Sequence, residues 1–130
     1  MGSRGRLLLG AYLAAVLTVS IAPIGWWLNR LTVRIYMFFR VTVPVAPRSF
    51  APETYGGLLN VLFYMPLGFM LARITRWWVA VVACVVLSGV VELGQAFIGR
   101  NRSLDDLAAN SLGGLLGALI AVVYAHRVRR

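Results

Sequence analysis

Residues 77–98 read WWVAVVACVVLSGVVELGQAFI, and Glu92 is the only charged residue in this stretch. A helix rises 1.5 Å per residue, so this length crosses a hydrocarbon core of about 30 Å. Valine, alanine and leucine occupy all sides of such a helix, whereas a helix on a soluble protein has a polar face. The stretch therefore predicts a membrane-spanning helix in which Glu92 is the exception.

The composition of the whole chain agrees with a membrane protein. Of its 130 residues, 60% are hydrophobic and 13% are charged, and the mean hydropathy is +0.80. Soluble domains average about 45–50% apolar and 25% charged residues. A soluble fold of this size has too little polar surface to cover so many apolar residues. Soluble enzymes, secreted mini-proteins and disordered tails are thereby excluded.

Three further apolar runs predict a bundle of four membrane helices, an all-α fold in a single domain over residues 1–130. The runs cover residues 7–27, 57–72 and 105–125, in addition to 77–98. Cys84 is the only cysteine and lies within a run, so the chain offers no intramolecular disulfide and no cysteine-based metal site.

The connection over residues 28–56 differs from these runs. In residues 28–40 arginines alternate with apolar side chains at helical spacing, which predicts an amphipathic helix in the headgroup region. Pro44, Pro47 and Pro52 then predict an extended, extracytoplasmic connection up to about Glu53, because proline removes a backbone donor.

The net charge of +9 comes from 13 basic residues, all of them arginine, and 4 acidic ones. The arginines lie at the ends of apolar runs rather than along a continuous polar face, so no nucleic-acid partner is expected. The short basic turn at residues 73–76 favours a cytoplasmic location, since short loops weigh most in the positive-inside rule. An even number of spans then places both termini in the cytoplasm of a multi-pass cell-membrane protein.

Polar residues recur at helical spacing around Glu92. Ser88, Glu92 and Gln95 share one helix face, and a charge inside a membrane helix normally faces a partner or a wet cavity. The loop that follows contains Arg100 and Arg102, and then Ser103, a good N-cap residue. The remaining polar and small residues are Asp105, Asp106, Asn110, Gly113 and Gly117 on the fourth run, and Asn60 and Tyr64 on the second.

Antiparallel connectivity places these residues in one leaflet. The second and fourth runs begin on the side of the membrane where the third ends, so Asn60, Glu92 and Asp106 are expected at similar depth. Gly113 and Gly117 form a small-xxx-small pair, which lets a neighbouring helix approach closely.

These motifs resemble the VanZ-like family. The resemblance covers about residues 55–120 and rests on three pieces: NVLFYMPLGF at 60–69, VELGQ at 91–95, and RSLDDLAAN at 102–110 followed by Gly113, Gly114 and Gly117. It implies an integral membrane protein of the bacterial envelope, related to proteins linked with resistance to glycopeptide antibiotics such as teicoplanin.

Three functions remain open from the sequence. In the first, Arg100 and Arg102 bind an anionic lipid or polyprenyl-phosphate headgroup, because the guanidinium fork matches phosphate geometry. Polar contacts would come from Asn60, Gln95 and Asn110. In the second, a membrane enzyme uses Glu92 as general base, with Asp105 and Asp106 as further catalytic candidates and possible Mg²⁺ ligands. In the third, these charges form an internal ion-pair network.

The expected partners follow from the first of these functions. Membrane lipids come first, then a polyprenyl-phosphate-linked precursor, a glycopeptide antibiotic or a second copy of the chain. No cofactor is predicted, and no metal site is assigned.

Overall fold

The computed structural model describes residues 2–21, 25–42, 52–97 and 104–128. Within these ranges the chain is helical and contains no strand, so the all-α prediction is confirmed. The elements are α1 (Ser3–Ile21), α2 (Gly25–Met37), a π-helical turn (Phe38–Thr42), α3 (Pro52–Ala72), α4 (Trp77–Phe97) and α5 (Leu104–Val128).

Three of the described helices are long and apolar enough to span a membrane. These segments are Thr54–Ala72, Trp77–Phe97 and Leu104–Val128. Large apolar side chains on α4 and α5 are exposed, as a lipid-facing surface requires, among them Val82, Val86, Val90, Ile120 and Val123. A fourth span, and an interfacial location for α2, stay predictions.

One predicted boundary is wrong, and the single helix predicted over residues 7–27 stays a prediction. Within that run α1 ends at Ile21 and α2 begins at Gly25, and residues 22–24 lie outside the described residues. Pro52 was expected to exclude helix, yet α3 begins with it. Proline is accepted in a first helical turn, where its missing N–H has no partner to lose.

The closest packing in the fold joins α3 to α5 through glycines. A Cβ added at Gly117 would overlap the carbonyl oxygen of Met65, and one at Gly113 would overlap that of Val61. A Cβ at Gly68 would in turn meet the carbonyl oxygen of Gly114. The close approach expected at Gly113 and Gly117 is therefore confirmed, and the partner is the α3 backbone.

The first helix runs antiparallel to α3 and parallel to α4. Tyr12 donates a hydrogen bond to the Phe63 carbonyl oxygen at 2.7 Å, and Gln95 donates to the Ser20 carbonyl oxygen at 2.8 Å. The end of α1 thus lies beside the end of α4. Between these contacts Val16 packs in a fully buried cluster that includes Leu67 and Cys84.

Candidate functional site

A polar cavity of about 260 Å³ lies where the end of α4 meets the starts of α3 and α5. Its polar lining residues lie on α1, α3, α4 and α5. Its apolar lining residues lie on α1, α2, α3 and α4. The polar lining residues are Ser20, Asn60, Tyr64, Glu92, Gln95, Asp106 and Asn110. The three helices predicted to converge therefore do so, at the depth that their directions imply.

On α4 the polar stripe is buried along one face. Ser88 is fully buried, and Glu92 and Gln95 retain only 9% and 8% of their exposure. Such burial is unusual for a carboxylate unless other groups offset its lost hydration. Glu92 does interact with other groups of the chain. The α4 face therefore delivers a carboxylate and an amide to one wall of the cavity.

A hydrogen bond between side chains joins α3 to the start of α5. The Asn60 amide nitrogen donates to Asp106 Oδ1 at 2.8 Å. Asp106 lies in the first turn of α5, where the positive end of the helix dipole also favours a carboxylate. Its carboxylate thus faces across to α3 and lines the cavity.

Deeper in the bundle, a second polar pair joins α4 to α5. The buried Asn110 donates from Nδ2 to the Ser88 hydroxyl at 2.9 Å. Asn110 Oδ1 and the Tyr64 hydroxyl are both buried, and neither has a hydrogen-bond partner of normal geometry among the described residues, although Ser88 lies beside Tyr64. A buried acceptor and hydroxyl without such partners leave hydrogen-bonding capacity for a bound molecule.

One predicted site residue lies outside the cavity lining, and two others are not described by the structure. Asp105 is exposed and absent from the lining, because it projects to a different side of α5 from Asp106. Arg100, Arg102 and Ser103 lie outside the described residues. Within the described ranges, no group of three or more His, Cys, Asp or Glu side chains converges to hold a metal ion.

No sequence feature marks the contact that α1 makes at the cavity. Gln95 bonds to the backbone carbonyl of Ser20, and every residue type carries such a carbonyl. Leu31 of α2 also lines the cavity, although the amphipathic pattern pointed only to a lipid interface. No residue-type signal marks either contact.

The donors and acceptors of the cavity fit a small polar group rather than a complete amphiphile. Amides, hydroxyls and carboxylates can bind hydroxyl, amine or amide atoms. Sites for drug-sized ligands usually measure about 300–1,000 Å³, so 260 Å³ accommodates a smaller group.

A protein-family model described as VanZ/LLP1 matches residues 8–125 of the chain. The match takes in α1 and α2 as well as the motifs at residues 55–120 that carried the sequence resemblance, which is thereby confirmed. No curated protein and no solved structure matches the chain.

Proposed function

The chain belongs to the VanZ/LLP1 family, and from this premise we propose that it binds the headgroup of an anionic lipid, or of a lipid-linked cell-wall precursor, at the bacterial cell membrane. The observation that carries the proposal is the polar cavity at one end of an apolar bundle, with Glu92 and Asp106 in its lining. Acyl chains would remain in the bilayer against the exposed apolar faces of the helices. Only the headgroup would enter.

The proposed topology has four spans, with α1 as the first of them and both termini in the cytoplasm. The start of α1, the turn at residues 73–76 and the end of α5 share the end of the bundle that lies away from the cavity. Basic residues at a cytoplasmic end satisfy the positive-inside rule. Those described at this end are Arg4, Arg6, Arg73, Arg76 and Arg127. The cavity then belongs to the outer leaflet.

The α2 helix would lie in the outer headgroup region, beside the start of α3. Tyr36 of α2 contacts Tyr55 of α3 with ring centroids 5.7 Å apart. Leu31, Phe38 and Phe39 are exposed, as side chains embedded among lipids would be. Through Leu31 this helix also covers part of the cavity.

In this proposal Arg100 and Arg102 bind the phosphate. The sequence places them between the end of α4 and the start of α5, the two helix ends that flank the cavity. Glu92 and Asp106 would orient the guanidinium groups or accept hydrogen bonds from headgroup hydroxyls. Binding a lipid-linked precursor in this way would alter the target of teicoplanin-type antibiotics, and hence susceptibility to them.

Two other functions are weighed against the same cavity. An enzyme with Glu92 as general base and Asp105 and Asp106 as Mg²⁺ ligands is less well supported, because Asp105 is exposed and outside the lining. An internal network is supported by the Asn60–Asp106 and Asn110–Ser88 hydrogen bonds. The network alone does not account for a cavity beside them.

Lipid-dependent stability tests the proposal. A ligand that binds only the folded state stabilises it by RT ln(1 + [L]/Kd), about 2.7 kcal/mol at a hundredfold excess over Kd. We expect the melting temperature of the purified chain to rise in micelles doped with phosphatidylglycerol or undecaprenyl phosphate, and not with phosphatidylcholine. Replacing both Arg100 and Arg102 by glutamine should reduce the gain in anionic lipid and leave the protein folded in neutral micelles.

The matched control for this test is the double variant Arg4→Gln/Arg6→Gln, which removes the same charge at the start of α1, away from the cavity. It should retain the lipid-dependent gain. An unchanged wild-type melting temperature across all lipids would contradict headgroup binding. Unfolding of the Arg100→Gln/Arg102→Gln variant in neutral micelles would favour the internal network. Lipid products that depend on Glu92 would favour the enzyme.

Cysteine accessibility tests the topology in intact cells. In a Cys84→Ala chain, cysteines introduced singly by Ser3→Cys and Arg129→Cys should be protected from an impermeant maleimide. A cysteine introduced by Asn101→Cys should react. Labelling after cell lysis provides the control for reactivity. Reaction at position 129 but not at position 101 in intact cells would invert the orientation and place the cavity on the cytoplasmic side.

A further inference from the structure

A second recess, of about 530 Å³, lies at the end of the bundle opposite the polar cavity. The turn between α3 and α4 forms one side of it, and the last turns of α5 form the other. It combines cationic, hydroxyl and apolar side chains, and the residues that matter below are Arg73, Ile74, Thr75, Trp77, Val122 and His126. The family resemblance and the proposed function leave this recess without a role.

The described side chains at this end of the molecule include no acid. Glu92, Asp105 and Asp106 lie at the opposite end, near the end of α4 and the start of α5, and the sequence places Glu53 in the first turn of α3. Arginine is always charged, and clustered cations repel one another. An anion from outside the chain would offset this repulsion.

An aromatic ring of α5 holds the guanidinium of Arg73, a residue that lines the recess. Its Cζ lies 5.0 Å from the centre of the Tyr124 ring, and the Phe69 ring contacts that tyrosine with ring centroids 6.2 Å apart. A guanidinium held over an aromatic ring keeps its N–H donors. Those donors suit bidentate binding of a phosphate.

The backbone at the turn also favours an anion. The last carbonyl oxygens of α3 already accept hydrogen bonds, from the Ile74 and Arg73 backbone N–H groups and from the Thr75 hydroxyl. The first N–H groups of α4 have no intrahelical partner, and this helix begins at Trp77 in the wall of the recess. The helix end that lies in the wall of the recess is thus the positive one.

From these observations we propose that the recess binds the headgroup phosphate of an anionic phospholipid in the leaflet opposite the polar cavity. Ile74, Trp77 and Val122 supply apolar surface for the glycerol backbone and first acyl carbons, which a soluble anion would not require. This proposal depends on the proposed function in one respect, which is that the proposed topology makes this leaflet the cytoplasmic one. Its residues are separate from those of the polar cavity.

Arg73 and Arg76 provide a matched pair for the test. Both are exposed arginines at the α3–α4 turn, but only Arg73 lines the recess. The full chain in neutral micelles is titrated with phosphatidylglycerol, and native mass spectrometry counts the lipid retained. Arg73→Gln should weaken this binding about tenfold, the usual effect of losing a charge-assisted hydrogen bond. Arg76→Gln should weaken it by less than about threefold, as expected for a surface charge.

Two further variants and two further ligands complete the test. Arg73→Lys keeps the charge without the bidentate fork, so it should bind with an affinity between those of the wild type and Arg73→Gln. Phosphatidylglycerol should still be retained in the Arg100→Gln/Arg102→Gln chain, which separates this recess from the polar cavity. Equal weakening by Arg73→Gln and Arg76→Gln, equal retention of phosphatidylcholine, or competition by inorganic phosphate alone at millimolar concentration would each overturn the proposal.

Discussion

Replacing Gly117 by alanine is expected to prevent normal packing of α3 against α5. The added Cβ would overlap the Met65 carbonyl oxygen and lie 2.7 Å from the Phe69 backbone nitrogen. Overpacking in a protein core usually costs about 1–3 kcal/mol, and occasionally more. Because the obstruction is backbone rather than a flexible side chain, we expect the upper end of this range. The measurement is the free energy of unfolding in bicelles, together with the yield of folded chain.

Gly89→Ala provides the matched control, since nothing lies within 4 Å of a Cβ built at Gly89. We expect this variant to be as stable as the wild type or slightly more so, because alanine is the better helix former. Trimming Met65 to alanine should not rescue Gly117→Ala, since the clash is with the main chain. Equal stability of Gly117→Ala and Gly89→Ala would contradict the close packing of α3 on α5.

The bundle could be predicted wherever the sequence carried a long apolar run. The α4 boundaries follow almost directly from residues 77–98, since few solvents other than lipid accept such a helix. The glycines of α5 predicted a close contact but could not name its partner. The structure identifies that partner as the α3 backbone at Val61 and Met65.

A prediction failed where a residue type permits more than one local structure. Proline usually breaks a helix when it lies in the helix interior, and Pro52 was interpreted in this way, whereas it occupies the first turn of α3. That choice cannot be made from hydropathy, because it depends on how the chain reaches its next packing partner.

The depth of the candidate site along the bundle could be predicted from the sequence, but the contacts between its side chains could not. Because α4 is antiparallel to α3 and α5, its end lies level with their starts. Asn60, Glu92 and Asp106 were therefore expected at one depth. Which of two adjacent aspartates would face inward depends on the rotation of α5 about its axis. Packing against α3 fixes that rotation, and it turns Asp106 towards Asn60 while leaving Asp105 exposed.

Neutralising Glu92 is expected to have the largest electrostatic effect in the chain. This carboxylate is 9% exposed in the wall of the polar cavity, and its proposed partners are Arg100 and Arg102. Removing one member of a buried ion pair typically costs about 3–5 kcal/mol, because the other charge is left without compensation. We therefore expect Glu92→Gln to lower the free energy of unfolding in neutral micelles by an amount of this order, and to reduce stabilisation by anionic lipid.

A double-mutant cycle identifies the partner charge. If Glu92 pairs with Arg102, the combined variant Glu92→Gln/Arg102→Gln should be less destabilised than the sum of the single variants, with a coupling of about 0.5–3 kcal/mol. The control cycle combines Arg102→Gln with Asp105→Asn, since Asp105 is exposed and outside the cavity lining. That cycle should be additive. The Glu92 cycle is also run with Arg100→Gln, and additivity of Glu92 with both arginines would mean that the buried carboxylate and the loop cations do not meet. The proposal that Arg100 and Arg102 bind a phosphate beside Glu92 would then be contradicted.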